Sequence, residues 1–370
     1  MEHKKIRIIG AGAVILLWAL ITAFAWFGPA QEMSEAERRK LAQFPQLSPE
    51  TVLDRSFMSD FADYALDQFP GRDSFRQIKA VFHNYVLRQK DNNDIYIADG
   101  YAAKLDYPLN GKAVDGALNR FNRVYHKYLA QGNSKVYVSV IPDKGYYLAE
   151  DNGYLTMDYE ALFTQVQQGM PWASYVDITG SLTGSDYYRT DTHWRQEQLL
   201  DTAGILCQAM GTAAPRTEDY TAVPVERPFF GVYYGQAALP MEAEVMYTMQ
   251  SDLLKECTVY NYTTGRYANV YDETKLESLD LYDIYLSGSE TLLTIENPNA
   301  TTDKELIIFR DSFGSSIAPL LVQDYARVTL VDIRYMSLEI LDRFITFDGQ
   351  DVLFLYSTLV LNNPDAFQTA

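Results

Sequence analysis

The sequence predicts an α/β fold with a mostly parallel sheet and helices on both faces, preceded by an apolar helix and interrupted by a β-rich insertion. Three observations lead there. Short apolar runs at Val136–Ile141, Tyr175–Ile178, Leu306–Phe309, Arg327–Ile333 and Val352–Tyr356 lack alternation, as strands buried on both faces do. Amphipathic helical stretches separate them: Val114–Leu129, Glu160–Gln168, Trp194–Met210 and Met336–Phe347. Strand and helix therefore alternate, which a parallel sheet with crossover helices requires.

The N-terminal element comes first. Ile8 to Phe27 carries no charge, follows Lys4, Lys5 and Arg7, and closes at Gly28-Pro29. That is about the length a bilayer needs, and the basic flank predicts a cytoplasmic N-terminus with the rest of the chain outside. The expected localisation is thus the cell membrane, by a single pass. A cleaved signal peptide is the alternative, but the apolar core is long for one and shows no well-spaced Ala-x-Ala site.

Residues 31–92 read as a stalk followed by amphipathic helices. Ser34–Lys40 is polar and helical in composition, and Phe44-Pro45 to Pro49 reads as a linker. Phe57, Phe61, Tyr64 and Ala65 recur at helical spacing, and a second helix is expected from about Asp73 to Leu87, the pair packed on the folded body. From residue 93 the α/β domain begins. Asp99-Gly100 between Asp94–Ala98 and Lys104-Leu105 is a hairpin signature. Pro215–Pro298 breaks the alternation with Tyr, Thr, Glu and Gly and no long helix, which predicts the β-rich insertion at about 215–298.

Composition excludes some functions. A net charge of −18 over 370 residues argues against nucleic acid or another polyanion held by simple electrostatics. Cys207 and Cys257 are the only cysteines, open to one disulfide or to two buried thiols. With one well-placed histidine and no cysteine cluster, neither a zinc site nor any other metal is expected, and no cofactor.

The chemistry is expected at Arg310-Asp311-Ser312-Phe313-Gly314. Ser312 falls at an elbow between a buried strand and a helix from Ser315 to Val322, where a serine is exposed beside unpaired backbone N–H groups. Helix capping by Asp311 and Ser312 is the plain alternative. Thr190-Asp191-Thr192-His193-Trp194 supplies the missing partners, an imidazole base and a carboxylate to orient it. Of the four histidines, His3 precedes the apolar run and His83 and His126 lie in amphipathic helices, which leaves His193.

These motifs resemble the DHHW family and, more distantly, the alginate O-acetyltransferase type of SGNH-like bacterial envelope protein. The likeness rests on Asp191–Trp194 and Arg310–Gly314, with Gln68–Arg72, Ile141–Lys144, Phe230-Gly231, Val331–Tyr335 and Leu353–Ser357 in support, and spans roughly residue 31 to the C-terminus. Thr192 stands where the family name has His; the alginate type tolerates Thr. The resemblance implies an SGNH-hydrolase-like, flavodoxin-like domain in circularly permuted order, and acyl transfer to a cell-envelope polysaccharide or to water. It also implies a multipass membrane acyl-donor protein as partner. Asp191, His193 and Ser312 are the expected catalytic residues, and the amides of Ser312 and Gly314 the expected oxyanion donors. Arg334 matches the family's Asp-x-Arg-Tyr piece and is expected at substrate or oxyanion, with a surface salt bridge as its alternative. Lys144, at the end of the Val136 strand, is expected on the same rim, or else as a turn lysine. Tyr146, Tyr147, Tyr187, Tyr188 and Trp194 are candidate sugar-stacking rings, with a core role the alternative. A glycan-binding or envelope-assembly protein that keeps the fold without catalysis is the competing function.

Overall fold

The computed structural model describes residues 2–367 and divides into two compact units. The first comprises the chain up to Asn92 with Tyr234–Pro240; the second comprises Asn93–Tyr233 and the chain from Met241.

In the first unit, α1 (Glu2–Phe27) is followed by a two-residue hairpin, β1 (Met33–Ser34) and β2 (Arg39–Lys40), and then by α2 (Pro49–Leu53), α3 (Ser56–Asp67) and α4 (Arg72–Val81). Arg7–Ala25 within α1 is long and apolar enough to cross a membrane, with a mean hydropathy of 2.4 and no buried residue. Ser34–Lys40 is a hairpin and not the expected helix. Arg39 forks onto Asp67 at 2.8 and 2.6 Å, and this bidentate pair holds β2 in place against local propensity. Phe44 packs edge-on against Phe57, Phe61 and Tyr64. α3 buries none of its residues and α4 only Ala80. A π-helical turn, Phe82–Val86, prolongs α4.

The second unit opens with the predicted hairpin, β3 (Ile95–Ala98) and β4 (Tyr101–Lys104), with Asp99 and Gly100 both at positive φ. There follow α5 (Gly111–Val124), β5 (Val136–Ile141), α6 (Lys144–Leu148), α7 (Tyr159–Gly169), β6 (Ser174–Tyr175), α8 (Leu200–Met210), β7 (Thr221–Phe229), α9 (Val232–Ala237), whose residues from Tyr234 on belong to the first unit, and β8 (Glu244–Gln250). The remainder is α10 (Asp252–Glu256), β9 (Thr258–Asn261), β10 (Arg266–Ala268), β11 (Leu292–Glu296), β12 (Glu305–Arg310), α11 (Gly314–Ile317), β13 (Arg327–Val331), β14 (Asp351–Ser357) and α12 (Thr358–Leu361).

An eight-stranded sheet in the order β10-β9-β11-β13-β12-β14-β5-β6 organises this unit. From β13 to β6 every pairing is parallel; β11, β9 and β10 continue the edge antiparallel. Counted from β12, the parallel part runs 2-1-3-4-5, the flavodoxin-like order, so the chain enters that order part-way round. Strand alternation divides the core. Leu306, Ile308, Leu353 and Leu355 face one layer with α8, while Ile307, Phe309, Val352 and Phe354 face the other with α5 and α7. Each such fully buried side chain contributes about 1.5–3 kcal/mol of transfer free energy.

Three expectations are corrected. Only a 3₁₀ turn, Leu338–Arg343, forms where a helix from Met336 to Phe347 is predicted. Arg120 takes the Ile333 and Met336 carbonyls at 2.9 and 3.0 Å, and the Tyr128 hydroxyl takes that of Leu338, so side chains satisfy acceptors a helix would need. The helix predicted from Trp194 starts instead at Leu200, because Trp194 pairs with Tyr187 in a β-bridge and the buried Gln196 amide is held by Ser316 O and Met249 N. The segment 215–298 is only partly an insertion: β7 and β8 form a separate hairpin, whereas β9, β10 and β11 extend the main sheet. Cys207 and Cys257 are buried free thiols, both pushed up to about 11 by burial.

Candidate active site

The site is built on the elbow that leaves β12. From Leu306 to Leu321 every residue is buried except Ser312, which is partly exposed. The Asp311 carboxylate fixes the elbow: Oδ1 accepts the Phe313 N–H at 3.0 Å and Oδ2 accepts the Ser357 N–H at the end of β14 at 2.8 Å. Arg310, fully buried, donates to the carbonyls of Gly288 and Glu290. Gly314 lets the chain turn so tightly that a Cβ there would sit 2.7 Å from the Arg310 Cβ. Ser312 therefore projects from a rigid corner at the carboxyl end of the strand where the connections to β13 and β14 diverge, the place an open α/β sheet offers a ligand.

The second component is a tight turn, Thr190–His193, pinned by hydrogen bonds. The Tyr188 N–H donates to the His193 carbonyl at 3.0 Å, and Glu244 accepts from Arg189 N, Thr190 N and Thr190 Oγ1 at 2.7–2.8 Å. Asp191 is buried; its Oδ1 meets His193 Nδ1 at 2.6 Å and the His193 N–H at 3.0 Å, and its Oδ2 accepts the Val232 N–H at 2.8 Å. His193 Nε2 lies 2.8 Å from Ser312 Oγ. With the Asp191 carboxylate as acceptor, Nδ1 carries the proton and Nε2 presents its lone pair to the serine hydroxyl. One hydrogen-bonded chain thus runs from Asp191 through His193 to Ser312.

Tyr282 holds the imidazole plane. Its ring stacks on His193 at 3.9 Å with an interplanar angle of 11°. Its hydroxyl donates to Ser316 Oγ at 2.7 Å, and Trp194 Nε1 donates to the same oxygen at 2.8 Å. Neither Tyr282 nor Glu244 was expected from the sequence. They lie in the 215–298 segment, where no periodicity or motif marks them; Phe230-Gly231, next to the Val232 amide, is the one signal that segment offers.

The other expected site residues are placed differently. Trp194 is fully buried, its Nε1 committed to Ser316 Oγ and the Phe313 carbonyl, so it is no sugar platform. Tyr187 and Tyr188 are likewise buried. Tyr146 packs against Tyr159 and Phe163 in the layer with α7. Lys144 does not reach a rim: it is buried, its Nζ donates to the Tyr188 carbonyl at 2.8 Å, and it sits 5.1 Å from the Tyr233 ring centroid. Burial pushes its ammonium down to about 7 against the pull of Asp191, Glu244 and Asp143. The Gly314 N–H already donates to the Asp311 carbonyl at 3.1 Å, whereas the Ser312 N–H donates to no acceptor among the described residues. Arg334 stands as far beyond Val331 as Ser312 does beyond its register partner Phe309. Its guanidinium, however, is engaged by the buried Asp332 through Nε at 2.9 Å and Nη2 at 2.6 Å.

No protein-family model matches the sequence, and no curated protein does. Solved structures match by fold. A DHHW family protein from Eubacterium siraeum aligns with a TM-score of 0.60 and 20% identity over 75% of this chain and 94% of that one. PatB1 of Bacillus cereus with a sulfonyl adduct aligns with a TM-score of 0.57 and 17% identity, over 74% of this chain and 97% of that one. A further structure of PatB1 gives a TM-score of 0.53 and 18% identity, over 75% and 99%. At these identities the likeness is one of fold. It is the mostly parallel α/β sheet with helices on both faces that the sequence predicts.

Proposed function

We propose that the chain is a membrane-anchored, extracytoplasmic serine O-acyltransferase or esterase acting on O-acetyl groups of a cell-envelope polysaccharide. The observation that carries this reading is the hydrogen-bonded chain from Asp191 through His193 to the partly exposed Ser312. In the first half-reaction Ser312 Oγ attacks the acyl carbonyl while His193 Nε2 takes its proton, and Asp191 steadies the imidazolium. The Ser312 N–H faces the oxyanion. His193 then gives the proton to the departing alcohol, leaving an acyl-serine. A sugar hydroxyl, or water, attacks that ester with His193 again as base, and Ser312 is regenerated.

The fold shared with PatB1, a protein that has been captured with a sulfonyl adduct, supports a reactive site of this type. The polysaccharide class and the multipass acyl-donor partner rest on the resemblance of the motifs to envelope O-acetyltransferases. The anchor rests on the apolar span Arg7–Ala25, and its basic flank supports an N-terminus on the cytoplasmic side. Arg334 and Gly314 act here as supports of the elbow, and Lys144 and Trp194 as supports of the Asp191–His193 turn.

The test is hydrolysis of p-nitrophenyl acetate by the detergent-solubilised full chain. Release of p-nitrophenol is expected, abolished by Ser312→Ala and by His193→Ala with circular dichroism unchanged. Turnover unaffected in both variants would remove the reading.

A further inference from the structure

The first unit carries an apolar surface that its own fold leaves uncovered. Along α4 and its π-helical extension, Phe75, Ile78, Phe82 and Tyr85 recur at i, i+3, i+7 and i+10, which places them on one helix face. They are 54%, 64%, 48% and 68% exposed. A contiguous row of large apolar side chains in water is not neutral; it marks a surface made for something apolar. The opposite face is committed within the unit: Arg72 and Arg76 reach Glu37 at 2.5 and 3.1 Å, and Arg76 also donates to the Gly235 carbonyl. The helix therefore has a fixed roll, with its apolar row outward.

Where this helix starts decides what covers it. The chain leaves α1 at Gly28-Pro29, and three residues on, at Gln31, it is clamped to the turn that precedes α4. Gln68 Oε1 accepts the Gln31 N–H at 2.8 Å, and Gln68 Nε2 donates to the Gln31 carbonyl at 2.9 Å and the Ala42 carbonyl at 3.0 Å. Phe24 and Ala25 of α1 with Gly28 just beyond it, and Gly71 just before α4 with Arg72 and Ser74 of its first turn, line one cavity of about 220 Å³. The first turn of α4 is thus held beside the last turn of an unburied apolar helix. Charge agrees: in a chain of net charge −18, Lys79 flanks the apolar row and Arg88 and Lys90 follow its end.

We infer that α4 with its extension lies in the headgroup region of the bilayer that α1 crosses, Phe75, Ile78, Phe82 and Tyr85 among the upper acyl chains and Lys79 and Arg88 toward anionic phosphates. The inference rests on the anchoring role proposed for α1. It gives the membrane a second point of attachment, which fixes the orientation of the first unit on its surface.

The experiment uses the full chain in vesicles of phosphatidylcholine, with or without phosphatidylglycerol. A nitroxide is placed at Ile78→Cys or, on the adjacent exposed position, at Gln77→Cys. Cys207 and Cys257 are buried, and the unsubstituted chain reports any labelling there. The expected result is that Ile78 is relaxed by oxygen and shielded several-fold from a water-soluble nickel chelate, and that Gln77 is not. Added phosphatidylglycerol deepens the shielding at Ile78, and Lys79→Glu with Arg88→Glu cancels that increment. If the nickel chelate reaches both positions equally in chain that floats with the vesicles, the inference is overturned while the anchor stands. Dipolar broadening between labels at Ile78 would overturn it in favour of contact between two copies. Failure to float would overturn the anchoring role itself.

Discussion

Replacing Gly231 by Ala should disable the site without touching any residue that takes part in bond making. Gly231 lies against the Asp191 turn so closely that an added Cβ would stand 2.2 Å from the Asp191 Cβ and 2.4 Å from both the Asp191 Cα and the Thr190 carbonyl oxygen. Its φ is not in the left-handed region, so the backbone itself accepts alanine and the whole effect is steric. Ordinary contact at 3.4 Å requires the two segments to part by about 3.4 − 2.2 = 1.2 Å. Two hydrogen bonds span that gap, Val232 N to Asp191 Oδ2 at 2.8 Å and Gly231 N to Thr190 Oγ1 at 2.9 Å, and neither survives such a displacement. Overpacking of this kind costs about 1–3 kcal/mol. Losing a hydrogen bond to a buried carboxylate costs about 1.5–3 kcal/mol. The displaced Asp191 carries His193 with it, and a misplacement near 1 Å lowers turnover by roughly 100-fold. The assay is p-nitrophenyl acetate hydrolysis well below the melting temperature, beside thermal unfolding. Gly116→Ala in α5 is the control: nothing lies within 4 Å of its Cβ, and the helix should gain up to about 1 kcal/mol. Parent-like turnover and melting in Gly231→Ala would refute the view that this contact positions Asp191.

Further expectations concern the groups around the turn. Tyr282→Phe keeps the ring on His193 and loses only the bond to Ser316, about 0.5–1.5 kcal/mol of stability with turnover nearly intact. Tyr282→Ala removes the stack, costs about 3–5 kcal/mol and should lower turnover as well; equal turnover in the two variants would show that the stack does not orient the imidazole. Arg334→Ala leaves the buried Asp332 without its bidentate partner and should destabilise by about 3–5 kcal/mol in chemical denaturation, against well under 1 kcal/mol if the pair acted as an exposed one. Lys144 has a folded pKa of about 7, below its ordinary 10.5, so between those values the unfolded chain binds more protons and stability should rise with pH. Below pH 7 the cost of the buried ammonium is fully present. Lys144→Met should flatten that rise, and parallel stability–pH curves for parent and variant would contradict it.

How much of this was legible in the sequence follows from what each signal measures. The strands β5, β12, β13 and β14 were readable because burial on both faces demands unbroken apolar runs. Ser312 and the Asp191–His193 pair were readable because strand-to-helix elbows and closely spaced acid–imidazole pairs are local. The ends of helices were not. Whether Met336–Phe347 continues as a helix depends on Arg120, more than two hundred positions away, taking its first carbonyls. The same holds for charged residues at strand ends. Lys144 and Arg334 read as rim residues because their positions point there, while Tyr188 and Asp332 decide where their side chains go. Tyr282, Glu244 and the Val232 amide complete the site from a segment whose alternating runs mark strands and no site, and only the folded chain brings them to His193 and Asp191. In α4 the helical spacing was legible, but spacing alone does not tell an apolar face that packs from one left outward.

Reaction of the full chain with a sulfonyl fluoride tests the central claim most directly, because only a hydroxyl activated by a neighbouring base is sulfonylated rapidly. Peptide mapping by mass spectrometry should find one sulfonyl group, on Ser312, and none in Ser312→Ala or His193→Ala. Modification at another residue, or labelling of Ser312 that proceeds unchanged without His193, would contradict it.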